Sequence, residues 1–183
     1  MTSSQSLSDT DRRTVASWAA DCAEHVVHLF EEHSPGNPVP REAIDRVRAY
    51  ARGELSAAEE IKRRFVAGRA ASGVDDPAAA AAARAAAQAA AVAHMGAHAL
   101  GAAAYAAKAA ALAAPEDAHA LDDEVGWQLD RMTDEVRRAL ARLPALGEDA
   151  AGPLGSGLLA SGTLGEVIRA IQADLRRPRP AAR

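Results

Sequence analysis

The chain has 183 residues, 49% of them hydrophobic and 25% charged, with a formal net charge of −4. This fits one globular domain and excludes broad electrostatic capture of nucleic acid. Aromatic residues make up only 3%, so a core must come from many close helix contacts rather than from a few large side chains. A single cysteine, Cys22, excludes an intramolecular disulfide, fits a reducing cytoplasm and reads as a small buried hydrophobe on an apolar helix face.

The opening MTSSQSLSDTDRR lacks a charged region followed by an apolar run, so no secretory signal is expected and the cytoplasm is the expected location. Ser8 and Asp11 resemble a capping box that opens a first helix from about Asp9 to about Glu32. Its apolar face carries Val15, Trp18, Ala19, Cys22, Val26, Leu29 and Phe30. HSPGNPVP ends it, because prolines remove donors and bias their predecessors to extended backbone. Pro40 then falls in the first turn of a second helix with Ile44, Val47 and Tyr50 inward, stopped by Gly53 in a left-handed cap. Ser56 and Glu59 form a cleaner capping box for a third helix, with Ile61, Phe65 and Val66 on its buried side.

Asp76 as N-cap and Pro77 at the first helical position start an alanine-rich stretch that runs to Ala113. It is longer than the usual globular helix, and a break near Met95 and Gly96 is expected. Arg84, Gln88, His94, His98 and Lys108 interrupt it, so no membrane span is expected. Pro115 to Asp117 predict the start of another helix, with Trp127, Met132, Val136 and Leu140 inward and Pro144 at its end. The helical domain is thus placed at 9–143. Residues 144–162 are rich in glycine and proline and read as a linker. Thr163 and Glu166 predict a cap for a short helix over 163–176, and 177–183 a disordered tail. No segment alternates as a strand does, so the fold class is all-α, a multi-helix bundle around the alanine helix.

The most informative residues follow one another at helical spacing. His94, His98, Gly101, Tyr105 and Lys108 stand at intervals of four, three, four and three, and so share one face. Two imidazoles one turn apart can share a metal, but Met95 occupies the place where a zinc protease needs its glutamate. A further ligand would have to come from elsewhere, with Asp21 or Glu24 an arbitrary choice, so no metal or cofactor is assigned. The bland alternative is a pair of histidines hydrogen-bonded inside a bundle, with Tyr105 and Lys108 placing polar tips in water. The chemical alternative is a pocket lined by His94, His98, Tyr105 and Lys108, with Trp18, Asp21 and His25 of the first helix as the opposite wall. No phosphate loop, dinucleotide fingerprint or Ser/His/Asp order is present.

The phrases DRRTVASWAADCAEHVVHLFEE, PREAIDRVRAYARGE, AHMGAHALGAAAYAAKAA and WQLDRM, in that order, resemble the immunity-five-like domain of bacterial polymorphic toxin systems over about residues 11–131. The resemblance implies an all-helical, non-enzymatic protein that binds and neutralises a cognate toxin. Surface acids such as Glu24, Glu31 and Glu32 are then the candidate partner-binding residues. The competing class is a small-molecule binder or cofactor-independent enzyme of specialised metabolism or self-resistance that uses the histidine stripe. Neither reading calls for nucleic acid or a membrane, and homo-oligomer formation stays open.

Overall fold

The computed structural model describes residues 3–63 and 66–177. Among these residues it contains nine α-helices and no strand; Asp149 and Gly155 form an isolated bridge. Phe65 of the expected third-helix face, and 178–183 of the expected tail, lie outside the described residues.

Helix α1 (Asp9–His33) starts where the capping box places it, with the Asp11 amide donating to Ser8 Oγ at 3.1 Å. Pro40 falls in the first turn of α2 (Val39–Ala51), which stops before Gly53 at φ +84°. Ser56 and Glu59 cap α3 (Ala57–Arg63) reciprocally, and a short α4 (Val66–Ala70) follows. Asp76 accepts the Ala79 amide at 2.8 Å and opens α5 (Pro77–Ala91), and α6 spans His98–Ala113. These two alanine-rich helices lie against each other, and α1 packs on both. Ala16, Ala19, Ala20 and Ala23 of α1 are fully buried, as are Ala82, Ala83, Ala85 and Ala86 of α5 and Ala102, Ala103, Ala106 and Ala107 of α6. Helices with such small side chains approach closely, and they must do so to bury enough surface.

The expected break falls between Ala91 and His98, and the chain's own beginning holds it open. The Gly96 and Ala97 amides, which a continuous helix would use internally, donate instead to the Ser6 and Gln5 carbonyls at 3.1 Å each. Leu7, at φ +60°, fills the space beside Gly96, where a Cβ would lie 2.5 Å from Leu7 Cδ1. The buried Gln5 side chain then reaches the far end of the sequence. It donates to Asp149 Oδ2 and the Ala151 carbonyl at 2.7 Å each and accepts the Leu154 amide at 2.9 Å. Residues 144–162, read from composition as a linker, therefore fold back on the bundle, with Leu154 and Leu159 buried.

Four local expectations are corrected. Helix α7 begins at Ala120 rather than at Pro115, because a turn in which Asp117 Oδ1 accepts the His119 amide comes first. It also stops at Asp130: Thr133 accepts the Val136 amide and starts a separate α8 (Asp134–Leu140). Trp127 is only partly buried, not inward like Met132, Val136 and Leu140. The last helix, α9 (Gly162–Leu175), starts one residue ahead of Thr163, after Ser161, with no side-chain cap. The bare Cα of Gly165 packs against the Ala160 carbonyl there.

Replacing Gln5 with alanine leaves the Leu154 amide and the Ala151 carbonyl without this partner and Asp149 with only the Ser4 hydroxyl. Gln5→Ala is expected to lower the unfolding free energy by about 1–3 kcal/mol and to speed proteolysis within 145–160. Urea denaturation and limited proteolysis measure both; values matching the unsubstituted chain would remove Gln5 as the fastener.

Candidate functional site

His94 sits exposed in the break between α5 and α6, and His98 is the first residue of α6. Gln88, near the end of α5, crosses to His98, its Oε1 lying 2.8 Å from Nδ1. A carbonyl oxygen only accepts, so His98 donates from Nδ1, and a neutral ring then leaves Nε2 as an acceptor. Gly101 makes the crossing fit: a Cβ there would overlap the Gln88 amide and come within 3.1 Å of Leu159 Cδ1. Tyr105 continues the face one turn on. The facing wall is residues 152–159 of the folded-back segment. Gly152, Pro153, Gly157, Leu158 and Leu159, with Gln88, Met95, His94, His98 and Tyr105, enclose an open hollow of about 430 Å³.

Burial, reinforced by the neighbouring His94, pushes His98 down to about 4, so its imidazole is neutral at pH 7. Burial also raises Tyr105, which stays a phenol and a hydrogen-bond donor. The hollow thus sets the neutral His98 and the Tyr105 phenol beside Met95, Leu158 and Leu159. Lys108 follows on the same helix, partly buried, and does not line it.

The opposite wall expected from α1 lies elsewhere. Trp18 is buried and donates from Nε1 to the Gln128 carbonyl of α7 at 2.9 Å, and Asp21 pairs with Arg48 of α2 at 3.0 Å. The reason is the shape of α6: its alanine faces admit α1 closely, whereas the histidine stripe is too bulky and polar to be covered by a helix and meets a glycine-rich segment instead. Among the candidate partner-binding acids, Glu31 takes a two-pronged bond from Arg41, at 2.8 Å to each oxygen, and lies below the usual carboxylate range because of it. Glu24 bonds Arg41 and Arg48. Glu32 is exposed.

One cluster escaped the sequence reading. Glu124 and Gln128, one turn apart on α7, both point inward and are buried. Gln128 donates to the Ala103 carbonyl and to Glu124 Oε1, and Glu124 Oε2 lies 2.6 Å from His25 Nδ1. The His25 ring lies parallel to Trp127 with centroids 3.8 Å apart, and the Arg131 guanidinium sits over the indole at 4.6 Å. Two buried polar residues at helical spacing beside a tryptophan were the available signal. Nothing in the sequence tied them to His25.

Among the described residues, no group of three His, Cys, Asp or Glu side chains is placed to hold a metal ion. Burial raises the Cys22 thiol well above its ordinary range, with Glu124 and Asp21 adding to it, so it is a poor nucleophile. No described helix is long and apolar enough to cross a membrane.

Fold and site together define an all-α domain built on two alanine-rich helices, with an open hollow on one side and a stacked His–Trp–Arg cluster on α1 and α7. The chain belongs to the family described as Imm-5 like putative immunity protein, whose model matches residues 5–135. No curated protein and no solved structure matches the chain. The family match runs from the Gln5 junction into the start of α8, so the segment that closes the hollow, 152–159, lies outside it.

The neutral His98 has a stability signature. Its folded-state value lies below the ordinary 6.5, so the unfolded chain binds the extra proton between pH 6.5 and 4 and stability rises with pH across that window. Acidification from above 6.5 to 4 is expected to cost up to about 3 kcal/mol through this group alone. His98→Asn should flatten that part of the profile. Denaturation midpoints of both proteins across the window measure the difference, and parallel profiles would show His98 to be protonated as readily folded as unfolded.

Proposed function

We propose that this chain binds a cognate protein toxin and neutralises it by occupying the toxin's surface, in the cytoplasm of the cell that makes both. The observation that carries this reading is the family match over residues 5–135, which takes in seven of the nine helices found among the described residues. The chemistry of the chain is consistent with it: the thiol is buried, the histidine nearest an enclosed space is neutral, and a net charge of −4 suits a protein partner with basic surface better than nucleic acid. Of the acids first singled out, Glu24 and Glu31 serve mainly to fix α2 on α1 through Arg41 and Arg48, while Glu32 remains free to meet a partner.

A second reading has one observation in its favour. The hollow of about 430 Å³ offers the neutral His98, the Tyr105 hydroxyl and the Gln88 amide amid apolar side chains, a combination suited to a small amphipathic molecule. Under that reading His98→Ala or Tyr105→Phe abolishes ligand binding in a protein that stays folded; under the first, both leave affinity for the toxin nearly unchanged.

The test is co-expression with the toxin encoded by the adjoining gene. Growth should be restored and the two proteins should co-purify at a fixed ratio. Undiminished toxicity with no complex formed would overturn the proposal.

A further inference from the structure

The side of α7 that faces away from the bundle is organised to a degree that its packing does not require. Glu124, Val125 and Gln128 already fill the inward side of the helix. Trp127 is nevertheless held partly exposed, parallel to His25 and under the Arg131 guanidinium, while the buried Glu124 fixes His25 from behind. A large aromatic side chain whose rotamer is set in advance loses little entropy when a second surface covers it, and tryptophan and arginine are the residues that most often dominate protein interfaces.

The surrounding charge is negative. Asp123 and Asp130 of α7 are exposed and flank Trp127 on the helix, and Glu32 lies two helical turns beyond His25, on the same side of α1. None of these three carboxylates has an ion-pair partner among the described residues, unlike Asp21, Glu24 and Glu31. All of these groups lie inside the family match.

We propose that this face, with Trp127 at its centre and Glu32, Asp123 and Asp130 around it, is where the toxin docks, and that the toxin meets it with a basic patch. The inference rests on the immunity reading and adds to it the surface and the partner's charge. The carboxylates attract the patch and set its orientation, and the indole supplies the desolvated contact. Arg131, already laid on the indole, adds the guanidinium plane to that contact and keeps the ring from turning into the bundle.

The experiment measures binding of the purified chain to the inactivated toxin encoded by the adjoining gene. Trp127→Ala is expected to weaken binding at least about 30-fold, mainly through faster dissociation. The triple variant Glu32→Gln, Asp123→Asn, Asp130→Asn should slow association about tenfold at low salt and flatten its salt dependence. It alters only exposed carboxylates, so it reports on the face even where Trp127→Ala loses stability. Asp75→Asn, Glu42→Gln and Glu148→Gln together remove the same charge elsewhere and should leave association within about twofold of the unsubstituted chain. Failure of the unsubstituted chain to bind would sink the immunity reading itself. Tight binding that neither Trp127→Ala nor the triple variant disturbs, with hydrogen-exchange protection falling outside 120–131, would sink this face and leave that reading standing.

Discussion

Everything in this fold depends on how closely α1, α5 and α6 can approach. An alanine side chain buries little area, so a core built from it is stable only if helix backbones come near enough for many such contacts to accumulate. The larger core residues, Trp18, Phe30, Ile44, Tyr50 and Leu100, each fully or almost fully buried, fill the space around that three-helix contact. A methyl group added at most of these alanines has nowhere to go without pushing two helices apart. The same constraint explains the paucity of aromatic residues: ring-sized side chains would separate the helices that the alanines bring together.

Close packing in turn decides where polar chemistry can sit. Along the outer edge of α1 and α2, Arg41 and Arg48 bind Asp21, Glu24 and Glu31 in a network rather than in isolated pairs. Arg13 does similar work at the start of α1, bonding Asp9, the Tyr50 carbonyl and the Leu55 carbonyl, and its bond holds the Asp9 carboxyl below its usual range. The histidine stripe of α6 is the one bulky polar row on an otherwise alanine surface. It is met by a segment rich in glycine and proline, which follows an uneven surface better than a helix can. The result is an open hollow rather than a sealed core.

The hollow and the α7 face differ in kind. The hollow is concave, carries the neutral His98 and is closed by residues 152–159 outside the family match. The α7 face is open, negatively charged and centred on a fixed indole within the match. A protein partner is served better by the second, since an open, pre-ordered surface can be covered by another chain without rearrangement.

Much of the fold was legible in the sequence because its signals are local. Ser8, Ser56 and Asp76 cap helices within three or four residues of themselves, Pro77 and Gly53 fix backbone angles at their own positions, and alanine-rich composition predicts close packing wherever the helices lie. The alignment of His94, His98 and Tyr105 is likewise a property of one stretch, although their partner across the hollow is not. Nothing near Gln5 shows that its amide will join residues 149–154, and nothing near His25 shows that it will stack on Trp127, because both contacts span more than a hundred positions. Composition made 144–162 read as a linker, since glycine and proline lack periodicity; what orders it is a set of hydrogen bonds supplied by the opposite end of the chain. Periodicity and capping are written into the backbone's nearest neighbours, so the starts of α1, α3 and α5 and the striped face could be read without the fold, whereas the division of α7 from α8 could not. Which faces meet, and which tryptophan stays outside, follow from how closely small side chains let helices approach, and only the tertiary structure decided that.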